Sequence, residues 1–168
     1  MTTPAPHARA DLVLREPRVG DLSWVVHRQS LLYAREYGWN NEFEALVSEI
    51  IARFIREFDP ARERCWIAEQ GGAVVGSVFV VHQDDATAKL RMLYVEASAR
   101  GQGLGGRLID ECLGFARQVG YRQMLLWTNS VLVDARRLYE RAGFTLREEE
   151  PHHSFGHALV GQVWGRAL

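Results

Sequence analysis

Arg100-Gly101-Gln102-Gly103-Leu104-Gly105-Gly106 places four glycines directly after an apolar run and directly before a helical pattern. Glycines let a backbone come close to a ligand without Cβ interference, and a helix start offers unpaired N–H groups at the positive end of its dipole. That is the chemistry of anion binding, and a pyrophosphate suits it. Arg100 and Arg107 add full positive charges nearby. A turn that only packs a helix onto a sheet needs one glycine rather than four. Read literally, Gly101, Gly103 and Gly106 spell the dinucleotide pattern GxGxxG. A dinucleotide fold then needs a carboxylate about 20 residues on, at the end of the next strand. Here that strand ends Leu125-Leu126-Trp127-Thr128-Asn129-Ser130, without one. No Gly-Lys-Ser/Thr follows the loop, so a Walker loop is excluded as well.

The elements that must position this loop follow from hydrophobic period. Leu12–Arg15 read as a short strand closed by Pro17, and Asp21 is expected to cap a helix carrying Leu22, Val25, Val26, Leu32 and Tyr33. A second helix is expected to bury one stripe, Phe43, Leu46, Val47, Ile50, Ile51, Phe54, Ile55 and Phe58, before Pro60 ends it. The period then changes. Two β-rich runs flank Gly71-Gly72, a two-residue hairpin signal. A strand near 89–96 leads into the glycine loop, and a helix from about Gly103 to Val119 buries Leu104, Leu108, Cys112, Phe115 and Val119. A strand at 123–128, a short helix ended by Gly143 and two last strands complete the order β-α-α-β-β-β-α-β-α-β-β. This is a single α/β domain over 11–168 with a mixed, mostly antiparallel sheet, preceded by a flexible arm at 1–10.

Composition removes several function classes. A net charge of −1 over 168 residues argues against direct nucleic-acid binding. No run approaches the ~18 apolar residues of a membrane span, and the first residues lack the apolar core of a signal peptide. Cys65 and Cys112 sit alone in apolar patterns, as small core residues do. The expected compartment is cytoplasmic.

Arg100 to Gly105, "RGQGLG", resembles the Q/R-x-x-G-x-G/A signature of the GNAT superfamily of acetyl-CoA-dependent N-acetyltransferases. "LLWTNS" followed by "ARRLYERAGF" resembles that family's second block, a strand with an asparagine, then a helix with a tyrosine and a Gly-Phe ending. The likeness covers the chain from Leu12 onward. Three segments, "VVHRQSLLYAREYGW", "FDPARERCWIAE" and "EEEPHHSFG", look closest to the acetyltransferase half of bacterial proteins that fuse a MarR-type domain to a GNAT domain.

The resemblance implies a V-shaped splay between the fourth and fifth strands, about four flanking helices, and acetyl-CoA as cosubstrate. Its pantetheine arm would pair with Leu93, Tyr94 and Val95, and its pyrophosphate would take the N–H groups of Gly101, Gln102, Gly103, Leu104, Gly105 and Gly106 beside Arg100. Unpaired strand N–H and C=O groups are suited to such an amide-bearing ligand, and one N–H could stabilise the thioester oxyanion. Asn129 would contact the pantetheine or cap the following helix. Tyr139 would protonate the departing thiolate, or else pack as a half-buried ring. Where some members carry a glutamate early in the fourth strand, this sequence has Lys89 and Arg91. Glu36, Glu42, Glu44, Glu96, His152 and His153 are all open as the base. Tyr33, Tyr37 and Trp39 are candidates for the wall of an acceptor pocket. "EEEPHHSFGH" reads either as an acceptor-facing charge cluster or as a solvated strand end and polar loop, and its histidines lack a complete metal-ligand spacing. The implied activity is direct acetyl transfer to an amine, on a small molecule or a protein, with a homodimer as the expected assembly. A non-catalytic module that senses acyl-CoA is the alternative, and a protein binding another nucleotide is a third.

Overall fold

Alternating two-residue and 3.6-residue hydrophobic periods divide the described residues into seven strands and four α-helices. The structure, a computed structural model, describes residues 11–168, and the expected arm at 1–10 lies outside the described residues. In order these are β1 (Leu12–Arg15), α1 (Asp21–Tyr37), α2 (Asn41–Glu57), β2 (Arg64–Gln70), β3 (Ala73–His82) and β4 (Thr87–Val95). A short 3-10 turn (Ala97–Ala99) leads to α3 (Leu104–Val119), β5 (Gln123–Asn129), α4 (Val133–Arg141), β6 (Thr145–Ser154) and β7 (His157–Ala167). Gly71 and Gly72, both at positive φ, make the β2–β3 turn. Among the described residues no helix is long and apolar enough to cross a membrane.

The sheet runs β1-β2-β3-β4-β5-β7-β6, and every pairing is antiparallel except β4 with β5. One face carries α3 and α4, where Val78, Val80 and Leu90 meet the fully buried Leu108, Ile109 and Cys112. The other carries α1 and α2, whose Val25, Ile51 and Phe54 cover Ile67 and Phe79. A smaller cluster of Trp39, Phe43, Val47, Phe155 and Leu159 closes that side under the β6–β7 turn. Burying a side chain of this size contributes about 1.5–3 kcal/mol, so these clusters set which face each helix presents.

Two features of β4 shape the site. Its parallel pairing to β5 covers only Thr87–Leu90 with Gln123–Leu126, and beyond these pairs the strands part. It also carries a bulge. Tyr94 opposes Ser77 while Arg91 opposes Phe79, so one extra residue is accommodated around Met92, which sits at φ 50°. The Ser77 hydroxyl donates to the Met92 carbonyl at 3.4 Å. The bulge reverses the facing of the residues beyond it. Arg91 shares the α2 side with its partner Phe79, whereas Leu93 and Val95 pack with the α3 cluster.

Three expectations are corrected. Gly20, in the left-handed region, takes the cap position of α1, while Asp21 is the first helical residue and accepts the Arg18 N–H at 2.6 Å. The α2 stripe is only half buried, because Leu46, Ile55 and Phe58 are 37%, 60% and 43% exposed. One helix can turn about 100° of its surface to a sheet, and eight apolar positions exceed that arc. "EEEPHHS" is not a strand end with a polar loop but continuous β6, with Pro151 tolerated because β6 is the outermost strand. Cys65 and Cys112 are both buried and unpaired, as expected.

Candidate active site

Two cavities meet where β4 and β5 part. The first, about 400 Å³, lies over the glycine loop and is walled by β4, the loop, α4 and the end of α1. The second, about 370 Å³, lies between α2, β4, β5 and the Trp39–Phe155 cluster. Tyr33, Leu93, Leu132 and Ala135 line both, so the two cavities adjoin at the splay.

In the loop cavity, the structure brings together Leu93, Tyr94, Val95, Arg100, Gly101, Gly103, Leu104 and Gly105. Gly101 and Gly103 hold φ of 76° and 74°, conformations that exclude most side chains. A Cβ at Gly101, Gly103 or Gly106 would meet nothing within 4 Å, so the loop surface is open. The N–H groups from Gly101 to Gly106 have no hydrogen-bond partner among the described residues; the loop's own bond is Arg107 N–H to the Gly103 carbonyl at 3.0 Å. Gly105 has a packing role besides, because a Cβ there would lie 2.7 Å from Leu138 Cδ1 on α4. Gln102 and Gly106 stand outside the cavity wall, and the Gln102 side chain accepts from Gln70 at 3.3 Å.

Sequence reasoning missed Arg137 and Arg141, which line this cavity from α4 beside Arg100. Their i, i+4 spacing puts them on one helix face, a signal present in the sequence but not tied to the loop until α4 is docked.

The second cavity is predominantly apolar, with an aromatic cluster in its wall. Tyr33 lies 5.0 Å between ring centroids from both Trp39 and Phe43, and Trp39 lies 4.9 Å from Phe155. The expected grouping of Tyr33, Tyr37 and Trp39 is thus split across the two cavities, with Tyr33 at their junction. Tyr139 and Asn129 both line the aromatic cavity rather than the loop cavity. The Tyr139 ring is 6% exposed and meets Phe144 edge-on. Burial raises its phenol pKa above the usual tyrosine value, with Tyr33 and Cys112 adding to the effect. Its hydroxyl has no hydrogen-bond partner among the described residues. Asn129 is engaged: its Oδ1 accepts from His152 Nε2 at 2.8 Å, while the Ser154 hydroxyl donates to His152 Nδ1 at 2.9 Å.

None of the candidate bases lines the aromatic cavity. Glu96 is held by Arg28 at 2.6 Å, and Glu42 accepts the Phe155 N–H at 3.0 Å. Glu36 stands at the loop cavity, and Glu44 and His153 are exposed. No group of three or more potential metal ligands occurs among the described residues. The cavity's charged residues are Lys89 and Arg91, and its buried polar ones include Gln29, whose Oε1 has no partner.

Comparison with known proteins identifies the family. Residues 26–144 match the model of the acetyltransferase (GNAT) family. The chain is 34% identical over 108 residues to the human N-acetyltransferase 8B, covering 61% of this chain and 44% of that protein. It is 30% identical over 124 residues to an N-acetyltransferase of Schizosaccharomyces pombe, covering 72% and 75%. The chain spans about half the length of the vertebrate relatives it matches. Its fold is similar to that of a GNAT family acetyltransferase from Elizabethkingia anophelis with acetyl-CoA bound, at a TM-score of 0.66 and 15% identity over 94% of this chain and 98% of the other.

Proposed function

This chain belongs to the GNAT acetyltransferase family, and from that premise we propose that it is an N-acetyltransferase moving the acetyl group of acetyl-CoA directly to an amine. The observation that carries this reading is the meeting of two cavities at the β4–β5 splay, one over the glycine loop and one against the Trp39–Phe155 cluster, with Tyr33 and Leu93 lining both. Two substrates entering from opposite ends would meet there, and such juxtaposition supplies much of the acceleration in a transfer reaction.

The loop fits the pyrophosphate. The N–H groups from Gly101 to Gly106 are unpaired, a Cβ at Gly101, Gly103 or Gly106 would stand in open space, and Arg100, Arg137 and Arg141 outnumber the two carboxylates, Glu36 and Asp134, in the same lining. Leu93 to Val95, unpaired on the side facing β5, would hold the pantetheine amides and aim an N–H at the carbonyl oxygen that gathers charge. When bound, acetyl-CoA supplies an acetyl group activated as a thioester. As the new C–N bond replaces the C–S bond, the Tyr139 hydroxyl, kept protonated by its raised pKa, would give its proton to the departing sulfur, and the proton shed by the amine nitrogen would restore the phenol. Apolar walls and two nearby cations disfavour an ammonium in the aromatic cavity, so the environment itself promotes loss of the amine proton. Neither cysteine lines either cavity, which favours direct transfer over an acetyl-enzyme.

A second reading, a non-catalytic acyl-CoA sensor, is favoured by the lack of a carboxylate or imidazole lining the aromatic cavity. The likeness to MarR-fused acetyltransferases points the same way and rests on its three segments of sequence alone. Both readings place residues 11–168 in one cytoplasmic domain.

Thermal unfolding with acetyl-CoA, CoA, NAD and ATP, paired with thiol release on a panel of amines, separates these readings. A ligand at about 100 times its Kd adds roughly 2.7 kcal/mol, a rise of several degrees in Tm for a domain of this size. The expected result is a rise with acetyl-CoA and CoA alone, together with amine-dependent thiol release. A rise without turnover on any amine supports the sensor, and a rise only with NAD or ATP overturns both.

A further inference from the structure

Lys89 and Arg91 are two residues apart on β4, opposite Val81 and Phe79, and therefore project on the same face of the sheet. Both are partly buried and line the aromatic cavity. Neither head group has a hydrogen bond or ion pair among the described residues. Burial lowers the pKa of each, and Arg91 lowers that of Lys89 further. Glu63 acts on Arg91 only through space, without an ion pair. Two partly desolvated cations with no paired anion cost stability, and an anion placed between them would recover it.

Neighbouring carboxylates do not fill that role. Glu57 is bound to Arg53 at 2.8 Å, and Glu63 accepts the backbone N–H groups of Asp59 at 3.2 Å and His82 at 3.0 Å. Asp59 accepts the Ala61 N–H at 3.0 Å. These groups belong to the adjoining groove, which Lys89 and Arg91 also line. From the cations toward the splay the cavity turns apolar, with Val47, Met92 and the Trp39–Phe43 rings. Gln29, 3% exposed, also lines the cavity and keeps a carbonyl oxygen without a donor.

We propose that the acceptor is a small amine carrying a carboxylate at the far end of an apolar body, with the carboxylate between Lys89 and Arg91 and the amine at the Leu93 end of the cavity. This assignment rests on the acetyltransferase reading and names its substrate class. At a rise of about 3.3 Å per residue Lys89 lies roughly 7 Å from Arg91 along β4, and the bulge at Met92 separates both from Leu93. A carboxylate at this pair is set back from Leu93 by more than the amine-to-carboxyl separation of an α-amino acid, and a ring suits the gap. An unpaired Gln29 carbonyl suits the N–H of such an amine. A polycationic acceptor would instead bring like charge against Lys89 and Arg91.

The test compares 4-(aminomethyl)benzoate with its methyl ester and with spermidine, in the wild type and in Lys89→Gln and Arg91→Gln. With thiol release as the readout, the expected kcat/KM for the carboxylate is at least tenfold that for the ester. The ratio should fall toward one in either variant while acetyl-CoA still raises Tm, which shows that the variants fold. Equal or better turnover of the ester or of spermidine overturns the carboxylate and leaves the acetyltransferase reading intact. Should no amine release thiol, that reading fails instead, and the Tm of the CoA-bound protein decides the carboxylate. A rise with 4-(aminomethyl)benzoate but not with its ester, lost in the variants, supports the anion site; no such rise overturns it.

Discussion

At the residue scale, Tyr139 and Asn129 had two readings each, and burial bears on both. Tyr139 is buried, yet its hydroxyl lacks a partner, which distinguishes it from a ring placed only to fill space. Tyr139→Phe is expected to lower turnover by about 10²-fold or more with little change in acetyl-CoA affinity. Unchanged turnover would remove the hydroxyl from the mechanism. The pH profile gives an independent check. A pKa raised above the ordinary tyrosine value of about 10 keeps the acid protonated throughout the neutral range. Turnover in kcat/KM should therefore rise as the amine loses its proton and then hold level to about pH 10. A falling limb near pH 8 would assign the acid to another group. Asn129 spends its carbonyl oxygen on His152, a link across β5 and β6 that nothing in the spacing of the two residues announced. The missing base was equally illegible, because whether Glu42 or Glu96 is free depends on partners 113 and 68 residues away.

Among the elements, β4 and its bulge do the most to build the site. Gly76 on β3 is the position that lets the bulged strand come close, since a Cβ there would lie 2.8 Å from the Tyr94 carbonyl oxygen. That oxygen belongs to backbone and cannot swing away. Gly76→Ala should cost about 1–3 kcal/mol of stability, as overpacking does, and weaken acetyl-CoA binding by displacing Leu93–Val95. Gly103→Val should differ in kind, because the space around it is open but its φ of 74° is strained for a branched residue. It should weaken acetyl-CoA strongly. Isothermal titration and thermal unfolding of both variants check the pair, and unaltered affinity in Gly103→Val would mean that the loop does not hold the cofactor. The order of elements was legible from Leu12 to Ala167, because each change of hydrophobic period coincides with a glycine, proline or asparagine. The bulge was not. Met92 carries no turn chemistry, and its left-handed φ is set by what β3 presents opposite it. The exposed half of α2 was hidden for a related reason: eight apolar positions show that a helix is amphipathic without showing how much of the arc the sheet can cover.

Viewed as a whole, the molecule is two leaves of sheet, β1–β4 and β5-β7-β6, stitched by four residue pairs between Thr87–Leu90 and Gln123–Leu126. A continuous sheet of seven strands has two edges, but this one has four, and two of them lie inside the protein. The outer edge at β6 carries Glu148, Glu149, Glu150 and Pro151, residues that discourage another chain from adding to it. The inner edges at Arg91–Val95 and Trp127–Asn129 have no such protection in their own backbone. Amides in the middle of a protein are normally the last to exchange their hydrogens with solvent, and those of Leu93 to Val95 on the β5 side should be among the early ones. Acetyl-CoA would then act as an eighth strand of foreign chemistry. Hydrogen exchange at Leu93–Val95 should slow on its addition, while exchange at Phe79 and Val80, already paired on both sides, should change little.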